Sequence, residues 1–291
     1  MKLKTVCLDK TFGIPVILLP TKFFLEKLKS EDHFVYLKVN HGFFDRMAAT
    51  NYKKPLSQKN IKEFVKLLYP KRGPYHSQLS ETTYTSLVLN MFSYFFEDEL
   101  DYVYLGLSNS NGMKNNQDST PKCQKRTKYL KNLIDNSSRD FFIHGGVVRH
   151  WVVTGEIEQL IQELNKDKYN LILIGPKYLD EYKFFNSFYH IQIPDKNAGN
   201  MVQDIKKDII NHLKPNKHNV ILGSTALLGF SIANIHKDHK LTYIDIGRAM
   251  DILVKDKMPN QPWFKLPVSH WNNQVKKIRS TFKPIGEIKL K

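Results

Sequence analysis

Four short apolar runs in the second half of the chain, each closing on a polar or glycine-containing turn, constrain the fold most. They are Leu171–Ile174 before Gly175-Pro176, His190–Ile193 before Pro194–Ala198, Val220–Leu222 before Gly223–Ala226, and Leu241–Ile244 before Asp245–Arg248. Helical periodicity fills the gaps between several of them. Residues 156–164 put Ile157, Leu160, Ile161 and Leu164 on one face, and residues 201–213 do the same with Val202, Ile205, Ile209 and Leu213. Buried strands alternating with amphipathic helices predict an α/β protein: a Rossmann-like, mostly parallel sheet with helices on both faces. In such sheets ligands sit outside the carboxyl ends of the strands, so each strand-end turn is a candidate for function.

The first half extends the pattern. Phe34–Val39 reads as a strand ending at Asn40-His41-Gly42, Tyr102–Leu107 as one ending at Ser108–Gly112, and Asp140–Ile143 as one ending at His144-Gly145-Gly146. A helix is expected over roughly 81–96, with Ser80 as its N-cap. The expectation is a sheet of about seven strands. Residues 1–255 form its domain, 108–127 read as a mobile surface loop rich in Asn, Ser, Gly and Lys, and 256–291 read as a basic tail packed back through Trp263 and Trp271. That tail carries no clear strand pattern, and the chain shows no internal repeat.

Composition narrows the partners. The chain has 291 residues, is 41% hydrophobic and carries 44 basic against 28 acidic residues, a formal charge of +16. That length and apolar content suit a substantial core, and the charge points to an anionic partner. Many lysines are scattered beside Asn and Ile, so charge alone does not establish nucleic-acid binding. Ile14–Pro20 is too short to span a membrane, and Met1–Lys4 leads into no cleavable apolar segment. Cys7 and Cys123 are far apart and lack metal spacing, which fits a reduced, cytoplasmic protein.

Several turns carry groups suited to a phosphorylated ligand. Gly223-Ser224-Thr225-Ala226 is expected to open a helix running to about Ile235, where free N–H groups and two hydroxyls suit a phosphate; an ordinary helix cap uses the same residues. In Pro194–Ala198, Asp195 and Asn197 suit a ribose or base and Lys196 a phosphate, while the same residue types also build a plain turn. Asp245 is placed to cap the following helix and Arg248 to fork onto a phosphate. The run His144-Gly145-Gly146 with Arg149 unites close-approach glycines, a cation and an imidazole suited to general acid–base work, although a lone histidine is commonly structural. The acidic run Glu97–Asp101 falls on the opposite edge and reads as a solvated helix end rather than a metal site. No GxGxxG fingerprint or P-loop is present.

The order of these turns resembles the GT-D fold of nucleotide-sugar glycosyltransferases. The resemblance runs over roughly residues 30–255, through the strand end at Gly175-Pro176, then 193–198, then Val220–Ala226, then Ile244–Gly247. Members of that family carry an Arg-x-Gly-Asp-Gly-Glu-like turn whose acidic pair serves a divalent metal and the donor. Its counterpart here is Lys38-Val39-Asn40-His41-Gly42-Phe43-Phe44-Asp45, with Lys38 for Arg, Gly42 retained, and His41 and Phe43 at the acidic positions. The resemblance implies transfer of a sugar from a nucleoside-diphosphate sugar, UDP-linked by preference, to a glycan or glycoprotein acceptor. It assigns Asp45, His41 and His144 to catalysis. Lys38, Gly42, Arg149, Gly175, Asp195, Lys196, Asn197, Ser224, Thr225, Asp245 and Arg248 go to the donor. No metal ligands are assigned, because the acidic pair is absent; cations can stand in for a metal clamp, and a cofactor such as Mn2+ stays open. The competing class is a non-catalytic basic module that binds nucleic acid, for which interleaved Lys and Tyr around 36–84 would suit a groove. A line of strand-end turns describes a pocket rather than an extended basic stripe. A nuclease would need a carboxylate cluster that the sequence does not offer.

Overall fold

A computed structural model describes residues 2–3, 7–9, 16–39, 94, 102–107, 134–135, 137–194, 198–225, 228–257, 269, 273, 282–284 and 288–289. The strands are β1 (Lys2–Leu3), β2 (Cys7–Asp9), β3 (Val16–Ile17), β4 (Val35–Val39), β5 (Val103–Leu107), β6 (Phe142–His144), β7 (Tyr169–Gly175), β8 (Tyr189–Gln192), β9 (His218–Gly223), β10 (Thr242–Asp245), β11 (Phe282–Pro284) and β12 (Ile288–Lys289). Eight of them form one sheet in the order β3-β6-β5-β4-β10-β9-β7-β8, and every pairing in it is parallel.

All seven strands expected from the sequence are in this sheet. The eighth, β3, comes from the Val16–Ile17 pair, where two residues are too few to show any periodicity. The tail also differs from expectation: β11 pairs antiparallel with β2, and β12 with β1. The tail's end is thus tied to the amino-terminal segment by backbone hydrogen bonds. Trp263 and Trp271, the 108–127 loop and nearly all of the 81–96 helix lie outside the described residues; Tyr94 is helical.

Five helices lie wholly within the described residues: α1 (Thr21–Lys29), α2 (Val147–Thr154), α3 (Ile157–Leu164), α4 (Val202–His212) and α5 (Gly229–Ala233). Crossover direction decides which face each covers, because parallel crossovers are right-handed. α1, α2 and α3 carry the chain towards the β8 edge and pack on one face, through Phe24, Trp151 and Leu160 against Tyr36, Leu173 and Ile244. α4 and α5 carry it back and pack on the other, through Ile205, Ile209 and Phe230 against Leu37, Ile174 and Tyr243. The amphipathic faces read from sequence are the ones buried: Ile157, Leu160 and Leu164 on α3, and Val202, Ile205 and Ile209 on α4. The thin edge around β3 is pinned by Trp151, whose Nε1 donates to Leu19 O at 2.8 Å, and by Glu156, whose Oε2 accepts the Thr21 N–H at 3.2 Å. None of the helices in the described residues is long and apolar enough to cross a membrane.

This topology locates a crevice. β7 and β9 are neighbours, yet the chain leaves β7 towards β8 over one face and leaves β9 towards β10 over the other. Divergent exits from adjacent parallel strands open a cleft beyond their carboxyl ends.

Candidate functional site

The carboxyl edge gathers charged and titratable groups from five strands. At its centre, β4 supplies Lys38 and the neighbouring β10 supplies Asp245. The Lys38 N–H donates to Asp245 Oδ2 at 3.3 Å, and the Gly247 N–H donates to Asp245 Oδ1 at 2.9 Å. Gly247 has φ +50°, in the left-handed region, and a Cβ there would stand 3.5 Å from Lys38 Nζ. Glycine thus lets this turn fold over the ammonium. Burial pushes the Asp245 carboxyl up to about 6, opposed by the Lys38 charge and the two backbone N–H groups. Lys38 is set deep and its pKa is lowered by burial, with Asp245 opposing and Arg149 adding to the fall.

A second cluster adjoins the first. Arg149, on the first turns of α2 after β6, interacts with Asp251, which begins the 3-10 helix Asp251–Lys257 after β10. Asp251 is 2% exposed and accepts the Tyr182 hydroxyl at 2.8 Å. Burial pushes its carboxyl up to about 6, against the hydrogen-bonding Tyr182 and the Arg248 and Arg149 charges. Tyr178, from the turn after β7, is pushed up to about 12 by burial and by Asp251, while Ser224 and Arg248 act the other way. The Arg248 guanidinium sits 6.0 Å over the Tyr178 ring. Three cations, Lys38, Arg149 and Arg248, therefore face two carboxylates across the strand ends.

The sequence-derived candidates separate on this geometry. Lys38, His144, Arg149, Gly175, Ser224, Asp245 and Arg248 all lie along this edge; His41, Gly42, Asp45, Asp195, Lys196 and Asn197 fall outside the described residues. The Thr225 carbonyl accepts the N–H of Leu228, the residue before α5, while its buried hydroxyl bonds the Tyr243 hydroxyl at 2.9 Å. One expectation needs correction: Asp245 caps no helix, and its carboxylate closes a two-residue turn onto Gly247. His144 is 2% exposed, and its Nδ1 accepts the Gly146 N–H at 3.0 Å, which leaves the proton on Nε2. Burial, Lys38 and His150 push its pKa down to about 3. The ring is therefore neutral at physiological pH, and its Nδ1 holds the turn at Gly146.

Asp251, Tyr178 and Tyr182 were missed. Their only sequence signals are position: Tyr178 two residues past Pro176, Tyr182 four further, and Asp251 six past Asp245. Among the described residues no group of three His, Cys, Asp or Glu side chains stands where it could hold a metal ion. Asp245 is a poor cation ligand in any case, since both its oxygens accept backbone N–H groups and Lys38 lies beside it.

No family model and no curated protein matches this sequence. Solved structures do. A glycosyltransferase of the DUF1792 group from Streptococcus sanguinis is 13% identical, with 83% of this chain and 84% of that chain covered and a TM-score of 0.52. A domain of unknown function 1792 described as having a distinct glycosyltransferase fold is 14% identical, with 86% and 84% covered and a TM-score of 0.48. At such identities the likeness speaks to fold, and it rests on the first of the two. The chain has an α/β glycosyltransferase fold, the GT-D-like architecture that the order of its strand-end turns resembles.

Proposed function

We propose that the protein is a glycosyltransferase that moves a sugar from a nucleoside-diphosphate sugar, UDP-linked by preference, to a glycan or glycoprotein acceptor in the cytoplasm. The observation that carries the reading is the convergence of Lys38, Arg149 and Arg248 at the carboxyl edge of a glycosyltransferase-fold sheet. In the reaction the bond from the anomeric carbon to the diphosphate oxygen breaks and its electron pair stays on the diphosphate. Fixed cations stabilise that charge as it develops. The acceptor oxygen bonds the anomeric carbon and gives its proton to a base, a role proposed for Asp45, with His41 beside the phosphates. Tyr178, next to Ser224 and under Arg248, is placed to contact the donor's base or sugar.

Donor binding without a divalent metal is part of the proposal, supported by Lys38 and Arg149 where a metal would otherwise offset charge. Thermal denaturation with a panel of nucleotide sugars tests the whole. Donor at a hundredfold over its dissociation constant should stabilise the protein by about 2.7 kcal/mol, with or without chelator. Stabilisation that chelator abolishes and manganese restores would sink the metal-free part. No stabilisation by any nucleotide sugar, with tight salt-sensitive binding of DNA or RNA, would favour the basic binding module instead.

A further inference from the structure

The opposite edge of the sheet holds a cavity lined mainly by basic residues. It has a volume of about 750 Å³ and lies at the amino ends of β4, β7, β9 and β10. Lys168 enters it from just before β7, Lys214 and Lys217 from the turn between α4 and β9, and Lys240 from just before β10. Glu31 is the one carboxylate of its lining. Lys217 is partnered by Asp167 at 2.6 Å and Lys168 by Glu163 at 3.9 Å, whereas Lys214 and Lys240 make no ion pair with any described residue. The wall between them is built from two imidazoles, His33 and His218, with ring centroids 4.6 Å apart.

That wall is short of hydrogen bonds. His218 is 6% exposed, and its Nε2 pairs with the Thr242 hydroxyl at 2.8 Å. Nδ1 of either ring has no hydrogen-bond partner, but both atoms are enclosed by the packing and do not open on the cavity. Burial and the neighbouring cations lower the pKa of both rings, to about 4 for His218. The rings therefore stay neutral and form an uncharged wall, and the lysines supply the charge.

We propose that this cavity binds a compact phosphate-bearing anion with two or more negative charges. Its volume suits a small ligand rather than a polymer laid along a surface. Lysine ammonium groups, as mobile point charges, suit phosphate. β9 spans 6 residues, so the two edges are about 20 Å apart, and one compact ligand cannot occupy both. The site thus stands apart from donor binding and from the reading built on it.

Calorimetric titration of the full chain with inorganic tripolyphosphate tests this, at about 50 and 200 mM salt. The protein should bind tripolyphosphate, and Lys214→Ala/Lys240→Ala should weaken that binding at least about tenfold. Both lysines are exposed, so the variant should fold and melt as the parent does. Arg248→Ala, at the other edge, should leave this binding in place even if the protein proves to bind no nucleotide sugar. A phosphorylated hexose that binds more tightly than tripolyphosphate would support the site and identify sugar-linked phosphate as the source. Tripolyphosphate binding without hexose phosphate binding, weakened by Lys214→Ala/Lys240→Ala and not by Arg248→Ala, would support it and identify free polyphosphate. Undiminished affinity in Lys214→Ala/Lys240→Ala, or loss through Arg248→Ala alone, would overturn the assignment. So would length-dependent binding of single-stranded DNA that competes fully with tripolyphosphate.

Discussion

Replacing Lys38 by methionine keeps the length of the side chain and removes its charge, which isolates the electrostatics of the strand-end pair. Asp245 would then lose the cation that opposes the rise of its carboxyl, so its pKa should climb above its present value of about 6. Opposite charges about 4–8 Å apart interact by about 2–4 kcal/mol at an effective dielectric of about 20. The sign follows from linkage. A carboxyl raised from about 4 unfolded to about 6 folded holds an extra proton in the folded state between those values, so its ionisation opposes folding as pH rises through them. At pH 7.5 Lys38→Met should therefore be destabilised by about 1–2 kcal/mol, a loss capped because the variant's carboxyl protonates once its pKa passes 7.5. At pH 5 the folded carboxyl is protonated in both proteins and the pairing energy is gone. There the parent still carries a desolvated ammonium that methionine lacks, so the difference should shrink to within about 1 kcal/mol or change sign. Urea denaturation at the two pH values, followed by tryptophan fluorescence, measures it. Equal losses at both pH values, or none at pH 7.5, would refute the coupling of Lys38 to Asp245. Donor affinity in the same variant should fall at least tenfold.

Gly223→Ala should cost about 2–4 kcal/mol, because a Cβ there would collide with the Tyr243 hydroxyl and stand 2.7 Å from its Cζ, displacing a fully buried ring that bonds Thr225; an unchanged melting temperature would count against this packing. Asp251→Asn removes a carboxyl raised to about 6, so the parent should gain stability between pH 7.5 and pH 5 that the variant does not. The variant's stability relative to the parent should accordingly fall by about 1–2 kcal/mol over that range, and a pH-independent difference would show that Asp251 does not titrate as described. Asp45→Asn should lower turnover by about a hundred- to ten-thousandfold with donor affinity little changed. A folded variant with near-normal turnover would pass the base role to His41.

The elements of the sheet were written locally. Runs such as Leu171–Ile174 and Val220–Leu222 name themselves as buried strands, and the spacing of Ile157, Leu160 and Leu164 names a helix and its inner face, because periodicity and burial are properties of neighbouring residues. Parallel α/β architecture then follows, and with it the edge where Lys38, His144, Gly175, Ser224 and Asp245 lie. What the tertiary structure alone decided is which distant residues meet and in what dielectric. Lys38 and Asp245 are 207 residues apart yet share a hydrogen bond. β3 earns its place only by pairing with β6, and the tail strands only by pairing with β1 and β2. Asp251 gained a partner in Tyr182, 69 residues away, and burial holds the His144 ring neutral. Thr225 turned inward to Tyr243 rather than outward to a ligand. Pairing across the sheet and the desolvation of a charge depend on neighbours that sequence distance conceals, so they appear only once the layers have closed.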